Sequence, residues 1–166
     1  MTGSMTGCVE VYEDRRPPPS KDARPPAAAT RQATAPSHGF NDAIAWRSLD
    51  EGLAEAKAQR RPLMLVVHAS WCERCKELKP SFQDHRLTEL SEQFVMVNAD
   101  QDQTPAALAY GPDGTYIPRV LFIDPTTGNA DAELQNPERE RYHYYYGPKD
   151  DLPAMMEKAL GRHGKS

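Results

Sequence analysis

The chain has 166 residues, 39% of them hydrophobic, and a formal net charge of −4. That is enough apolar material for one core of ordinary size. The acidic balance argues against a nucleic-acid partner, and no apolar run approaches the roughly 20 residues of a membrane-spanning helix, which argues against a membrane role.

Residues 1–38 read as an extended, Pro-rich arm. Pro17, Pro18, Pro19, Pro25, Pro26 and Pro36 remove backbone donors, and the few apolar residues show no period. Such an arm is either a free tail or a segment held along its length by a partner in a large assembly, cytoskeletal or other. Met1–Glu10 carries neither the basic flank nor the apolar stretch of a secretory signal. Arg162–Ser166 is no retention tail of the Lys-Asp-Glu-Leu type. From these ends alone a cytoplasmic protein is expected.

The folded domain is expected over residues 39–166, opening where Phe40, Ile44 and Trp46 appear. Ser48-Leu49-Asp50-Glu51 has capping-box spacing, so a helix should run to about Gln59, with Leu49, Leu53 and Ala56 on one face. Leu63-Met64-Leu65-Val66-Val67 suits a strand buried on both faces. The turn Ala69-Ser70-Trp71-Cys72 then leads into a helical stretch, Cys72 to Leu78, that lacks β-branched residues. Cys72 at the head of that helix meets unpaired amides and the positive end of the dipole, which favour the thiolate needed for thiol–disulfide exchange. Cys75, one turn on, is close enough to resolve a mixed disulfide. The third cysteine, Cys8, lies far upstream and reads as a bystander thiol.

Pro80 should kink the helix that continues through Leu87 and Leu90. Phe94 to Asn98 and Val120 to Ile123 read as further strands, with a short helix near Ala106 to Tyr110 and a loop between them. Asp124 to Asn129 reads as a hairpin-type turn, Arg141 to Tyr146 as a last strand, and Asp151 to Leu160 as a final helix stopped by Gly161. Strands separated by helices early and joined by a hairpin late imply an α/β fold: a mixed sheet with helices on both faces.

This order resembles a thioredoxin-like three-layer sandwich with a mixed central sheet, preceded by the arm. The resemblance rests on the Trp71-Cys72-Glu73-Arg74-Cys75 turn after a buried strand, on Pro80, and on Ile117-Pro118 before a later strand. Within that fold the stretches Trp46 to Leu49, His68 to Cys72, Phe94 to Asn98 and above all Gly111 to Arg119 resemble a narrower group. That group is the small endoplasmic-reticulum thioredoxin-domain proteins related to the anterior gradient proteins. The resemblance implies a thiol–disulfide oxidoreductase acting on protein substrates with disulfides or thiols and needing no cofactor. Cys72 attacks, Cys75 releases, and Trp71, Ile117 and Pro118 face the substrate. Pro118 would be a cis-proline whose predecessor, Ile117, pairs its backbone with an extended substrate. The implied compartment is the endoplasmic-reticulum lumen, in place of the cytoplasm. Most thioredoxins carry a buried acid six residues before the first cysteine. Val66 stands there, which removes a general base.

Against these readings stand plainer ones. A zinc site needs two ligands beyond Cys72 and Cys75, and no second paired spacing supplies them, so no metal is expected. His68 reads first as a packed, hydrogen-bonded residue, Tyr142 to Tyr146 as edge-strand packing, and Arg119 as a solvated or helix-end contact. Arg74 favours the Cys72 thiolate and Glu73 opposes it. The rival to catalysis is an adaptor: a thioredoxin-like domain anchored through its arm in a larger assembly.

Overall fold

The computed structural model describes residues 31–164. Four strands form one sheet: β1 (Trp46–Arg47), β2 (Leu63–His68), β3 (Val95–Asp100) and β4 (Arg119–Ile123), in the order β1-β3-β2-β4. β1 and β2 flank β3 in parallel, and β4 lies antiparallel to β2, so the sheet is mixed. Every residue of β2, β3 and β4 is buried, which is why these strands are continuous apolar runs instead of alternating ones.

The two faces are covered by different helices. α1 (Leu49–Gln59) packs with Leu63, Leu65, Val95, Val97 and Leu121 on one side. α2 (Glu73–Leu78), α3 (His85–Ser91) and α4 (Leu152–His163) cover Met64, Val66, Met96, Val120 and Phe122 on the other. Ser48 caps α1 by accepting from the Glu51 amide, as its spacing anticipated. Gly52 lets α1 sit close on the sheet, since a Cβ there would lie 2.5 Å from Val97 Cγ2.

Several expectations are corrected. Pro80 does more than kink a helix: α2 ends at Leu78, a 3-10 segment spans Lys79–Gln83, and α3 restarts with Asp84 capping it. Proline has no amide hydrogen to continue the ladder. No strand forms over Arg141 to Tyr146. Tyr142 takes a positive φ of 55°, which breaks an extended run, and the segment gives β4 one backbone bond, from the Val120 amide to Tyr144 O. The tyrosines still pack, with Tyr144 and Tyr146 buried and Tyr142 exposed. The first strand, β1, is too short to carry a period and was not anticipated. α4 runs through Gly161 to His163 because Asp131 accepts hydrogen bonds from Arg162 and His163 and so holds the extra turn. The turn over Asp124 to Asn129 does reverse the chain, leading to an antiparallel bridge between Ile123 and Ala130.

Residues 31–38, grouped above with the arm, lie along the domain. Arg31 donates to the carbonyls of Glu92 and Phe94, and the amides of Thr34 and Ala35 donate to Trp46 O. The rest of the arm, with Cys8, lies outside the described residues.

Candidate active site

β2 ends at His68, and Ala69 to Trp71 form the turn that delivers Cys72 to the N-cap of α2. Cys72 and Cys75 are joined as a disulfide with Cα atoms 5.2 Å apart, inside the range two cysteines need to bridge. The Cys75 amide donates to Cys72 Sγ at 3.1 Å, so the first sulfur occupies the position where a helix start stabilises negative charge.

Exchange requires access to Cys72, and the pair is largely covered: Cys72 keeps 6% of its surface and Cys75 1%. Both pack with Ala69 and Ile117. Attack through Cys72 needs an accessible sulfur, and the structure holds it recessed, with Cys72 the less buried partner. Beside it Trp71 is 62% exposed, its indole N–H donating to the Asp102 carboxylate at 2.8 Å. The Ile117–Pro118 peptide bond is cis, and the segment it belongs to leads directly into β4. Cys72, Cys75 and Ile117 thus pack together at the end of the sheet where β2 stops and β4 begins, with the exposed Trp71 next to Cys72 in the chain.

Glu73 and Arg74 do not compete for the thiolate as unpaired charges. Glu73 accepts from Lys76 at 2.8 Å and Arg74 donates to Glu77 at 3.2 Å, both on the exposed face of α2. His68 is buried and hydrogen-bonded, as its strand-end position suggested. Its partner is Asn98, whose amide donates to the carbonyls of Pro36 and Ser37. Those two bonds fix the amide orientation, so Asn98 Oδ1 accepts from both His68 Nε2 and His38 Nδ1. Burial drives the His68 pKa down from 6.5 to about 4, with the nearby His38 adding to the effect and the Asn98 bond opposing it. Its imidazole is therefore neutral at pH 7.

Sequence reasoning missed two residues at this end of the sheet. Asn98 was read only as the close of a strand, although β3 continues past it for two residues, to Asp100. Arg119, expected at the surface, is fully buried. Its position as the first residue of a strand buried throughout was the available signal.

Among known proteins, a thioredoxin-like family model matches residues 45–125. Anterior gradient protein 3 of Xenopus tropicalis is 40% identical over 125 residues, covering 73% of this chain and 73% of its own length. The anterior gradient protein 2 homolog of Mus musculus is 36% identical over 165 residues, covering 96% of this chain and 88% of the relative. Among solved structures, a thioredoxin from Thermus thermophilus superposes with a TM-score of 0.51 at 22% identity, covering 72% of this chain and 85% of that one. The DsbH oxidoreductase superposes at 0.50 and 23%, covering 78% and 90%. These two likenesses show the fold. Sequence identity over most of both chains shows more: the protein belongs to the anterior gradient family of thioredoxin-like proteins.

Proposed function

We propose that the protein is a thiol–disulfide oxidoreductase acting on protein substrates through Cys72 and Cys75. The observation that carries this reading is the bridged pair at the head of α2, with the Cys75 amide donating to Cys72 Sγ. In the oxidised form a substrate thiolate attacks Cys72. The Cys72–Cys75 bond breaks and a mixed disulfide forms, with Cys75 leaving as the thiolate. A second substrate thiolate then displaces Cys72, so the substrate leaves as a disulfide and two electrons rest on the protein's dithiol. The reverse sequence reduces a substrate disulfide, with Cys75 as the resolving thiol.

Trp71, Ile117 and Pro118 form the substrate-binding surface in this reading. The exposed indole supplies apolar area, and the backbone of Ile117 pairs with an extended segment as a short added strand. The recessed Cys72 favours a substrate disulfide on a flexible or unfolded segment over one inside a rigid domain. Family membership favours the endoplasmic-reticulum lumen as the site of action over the cytoplasm. The adaptor alternative rests on the N-terminal arm, of which residues 1–30 lie outside the described residues.

The test is turbidimetric insulin reduction with dithiothreitol as the electron source, run alongside refolding of a scrambled disulfide protein. Wild type should accelerate at least one of the two, and Cys72→Ser should abolish the gain. Equal rates for wild type and variant in both assays would remove the exchange reading.

A further inference from the structure

The end of the sheet away from the cysteines holds a concentration of positive charge that the exchange chemistry does not use. β2 begins there at Leu63 and β4 ends there at Ile123, and α1 and α4 stop there at Gln59 and His163. An open cleft of about 750 Å³ lies among these ends, lined by Arg31, Gln59, Arg60, Arg61, Thr126 and His163, and none of the described residues lining it is acidic. Arg60 and Arg61 also border a smaller cavity of about 240 Å³, to which Glu92 contributes. In a chain of net charge −4 this grouping of cations runs against the overall balance.

Two of the arginines are drawn together at one oxygen. Arg31 Nη2 donates to the Glu92 carbonyl at 2.6 Å, and Arg61 Nη1 donates to the same atom at 2.9 Å. Both guanidinium groups stay protonated throughout the ordinary pH range, so like charges meet there. Burial lowers the Arg31 pKa, and Arg61 lowers it further. Glu55, 3.8 Å from Arg31 Nη1, and Glu92 act the other way, but Glu55 is shared with Arg47 at 2.6 Å. Arg60 supplies the third charge at a conformational cost. It ends α1 in the left-handed region, φ 54° and ψ 44°, where glycine is the usual residue because it has no Cβ. A helix C-terminus carries about half a negative charge, so the ends of α1 and α4 together offset about one arginine of the three. His163 is already engaged by Asp131.

We propose that this cleft docks an acidic segment of a partner protein, an extended stretch that presents Asp or Glu side chains. Guanidinium forks take carboxylates two hydrogen bonds at a time, and the exposed Arg60 and half-buried Arg61 lie where such side chains reach them. A compact anion such as inorganic phosphate fits less well, because inside the cleft it faces the carbonyl ends of α1 and α4. A peptide backbone outside the helix ends avoids that repulsion while its carboxylates meet the arginines. The cleft lies at the opposite end of β2 from the turn that leads to Cys72, so a partner held there leaves the cysteine pair uncovered. Docking of this kind goes beyond the exchange reading and does not depend on it.

Fluorescence anisotropy of the full chain with a labelled peptide of alternating Glu and Ser tests this, with the matching Gln-Ser peptide and inorganic phosphate as comparisons. The Glu peptide should bind, the Gln peptide should not, and binding should weaken as salt is raised. Arg60→Gln together with Arg61→Gln should lower the affinity roughly five- to tenfold, as two surface ion pairs together contribute. Lys149→Gln together with Lys158→Gln, which removes the same charge from residues lining a different cavity, should bind like wild type. Arg60→Gly should also weaken binding while melting no lower than wild type, because glycine suits that backbone, and it decides the matter if the double arginine variant is unstable. Insulin reduction should not differ between wild type and any of these variants. Absent binding of the Glu peptide, equal binding of the Gln peptide, or an equal loss in the lysine pair would each overturn the proposal. So would phosphate or a thymidine oligonucleotide that competes as well as the unlabelled Glu peptide does.

Discussion

The chemistry of this protein is concentrated in single side chains whose environments depart from those of free residues. Cys72 is recessed, so substitution of the residue that covers it should change access before it changes the bond. Ile117→Ala is expected to raise the alkylation rate of the reduced Cys72 several-fold at fixed pH, read by mass spectrometry, because Ile117 packs on both cysteines. His68 carries a pH dependence of known sign. Burial lowers its pKa to about 4 from 6.5, so the folded protein binds that proton less well than the unfolded chain does. Its contribution to stability is full above about pH 6.5 and falls away as the pH drops toward about 4, by on the order of 3 kcal/mol in all. Urea denaturation at pH 7 and at pH 4.5 should show that decline, and His68→Gln should flatten it while lowering stability at pH 7. The closeness of Cys72 and Cys75 was legible from their spacing, and the cis bond before Pro118 from the family resemblance. The burial of Arg119 and the hydrogen bonds of Asn98 were not legible, because Asn98 meets its acceptors on Pro36 and Ser37 and Arg119 is enclosed by a strand that pairs it with Val67.

At the scale of elements, close approach and terminal clips decide what each helix tolerates. Gly52 faces Val97 Cγ2, a core side chain of β3 with no room to retreat. Alanine there gains about 1 kcal/mol of helix propensity but costs about 1–3 kcal/mol in overpacking. Gly52→Ala should therefore lower the melting temperature, against the usual trend for a helical glycine, as differential scanning calorimetry would show. The end of α4 depends on Asp131. Burial alone would raise the pKa of this carboxyl, but hydrogen bonds from Arg162 and His163 outweigh it and hold the value down at about 2. The ordinary value is 3.8, so the clip is intact above about pH 4 and is lost as the pH falls toward about 2. Asp131→Asn should fray the last turn of α4 at pH 7, seen as faster amide exchange at Arg162 and His163. The apolar runs of β2, β3 and β4 and the cap of α1 were legible because each is a local pattern. The last turn of α4 was not, since Gly161 signals a stop that only Asp131, thirty-one residues away from Arg162, overrides.

For the molecule as a whole, the boundary of the domain is set by hydrogen bonds that cross the chain. Residues 31–38 satisfy the Trp46 carbonyl and the Asn98 amide, and they place Arg31 on the carbonyls that end α3 and open β3. Starting the chain at Gly39 would leave the buried Asn98 side chain without its two acceptors, at a cost of about 1–3 kcal/mol. A protein beginning at Arg31 should accordingly melt several degrees above one beginning at Gly39.

The amino-acid order by itself determined the mixed sheet, the helix at the Cys-x-x-Cys and the family, because apolar runs, capping residues and short motifs act over a few positions and need no knowledge of what lies opposite. Only the tertiary structure decided that Cys72 is recessed, that Tyr142 to Tyr146 is a packed turn and not a strand, and that Arg119 lies buried. Burial and hydrogen-bond satisfaction are properties of the assembled surroundings, and the surroundings of these residues come from separate stretches of chain, such as Ile117 against Cys72 and Val67 opposite Arg119.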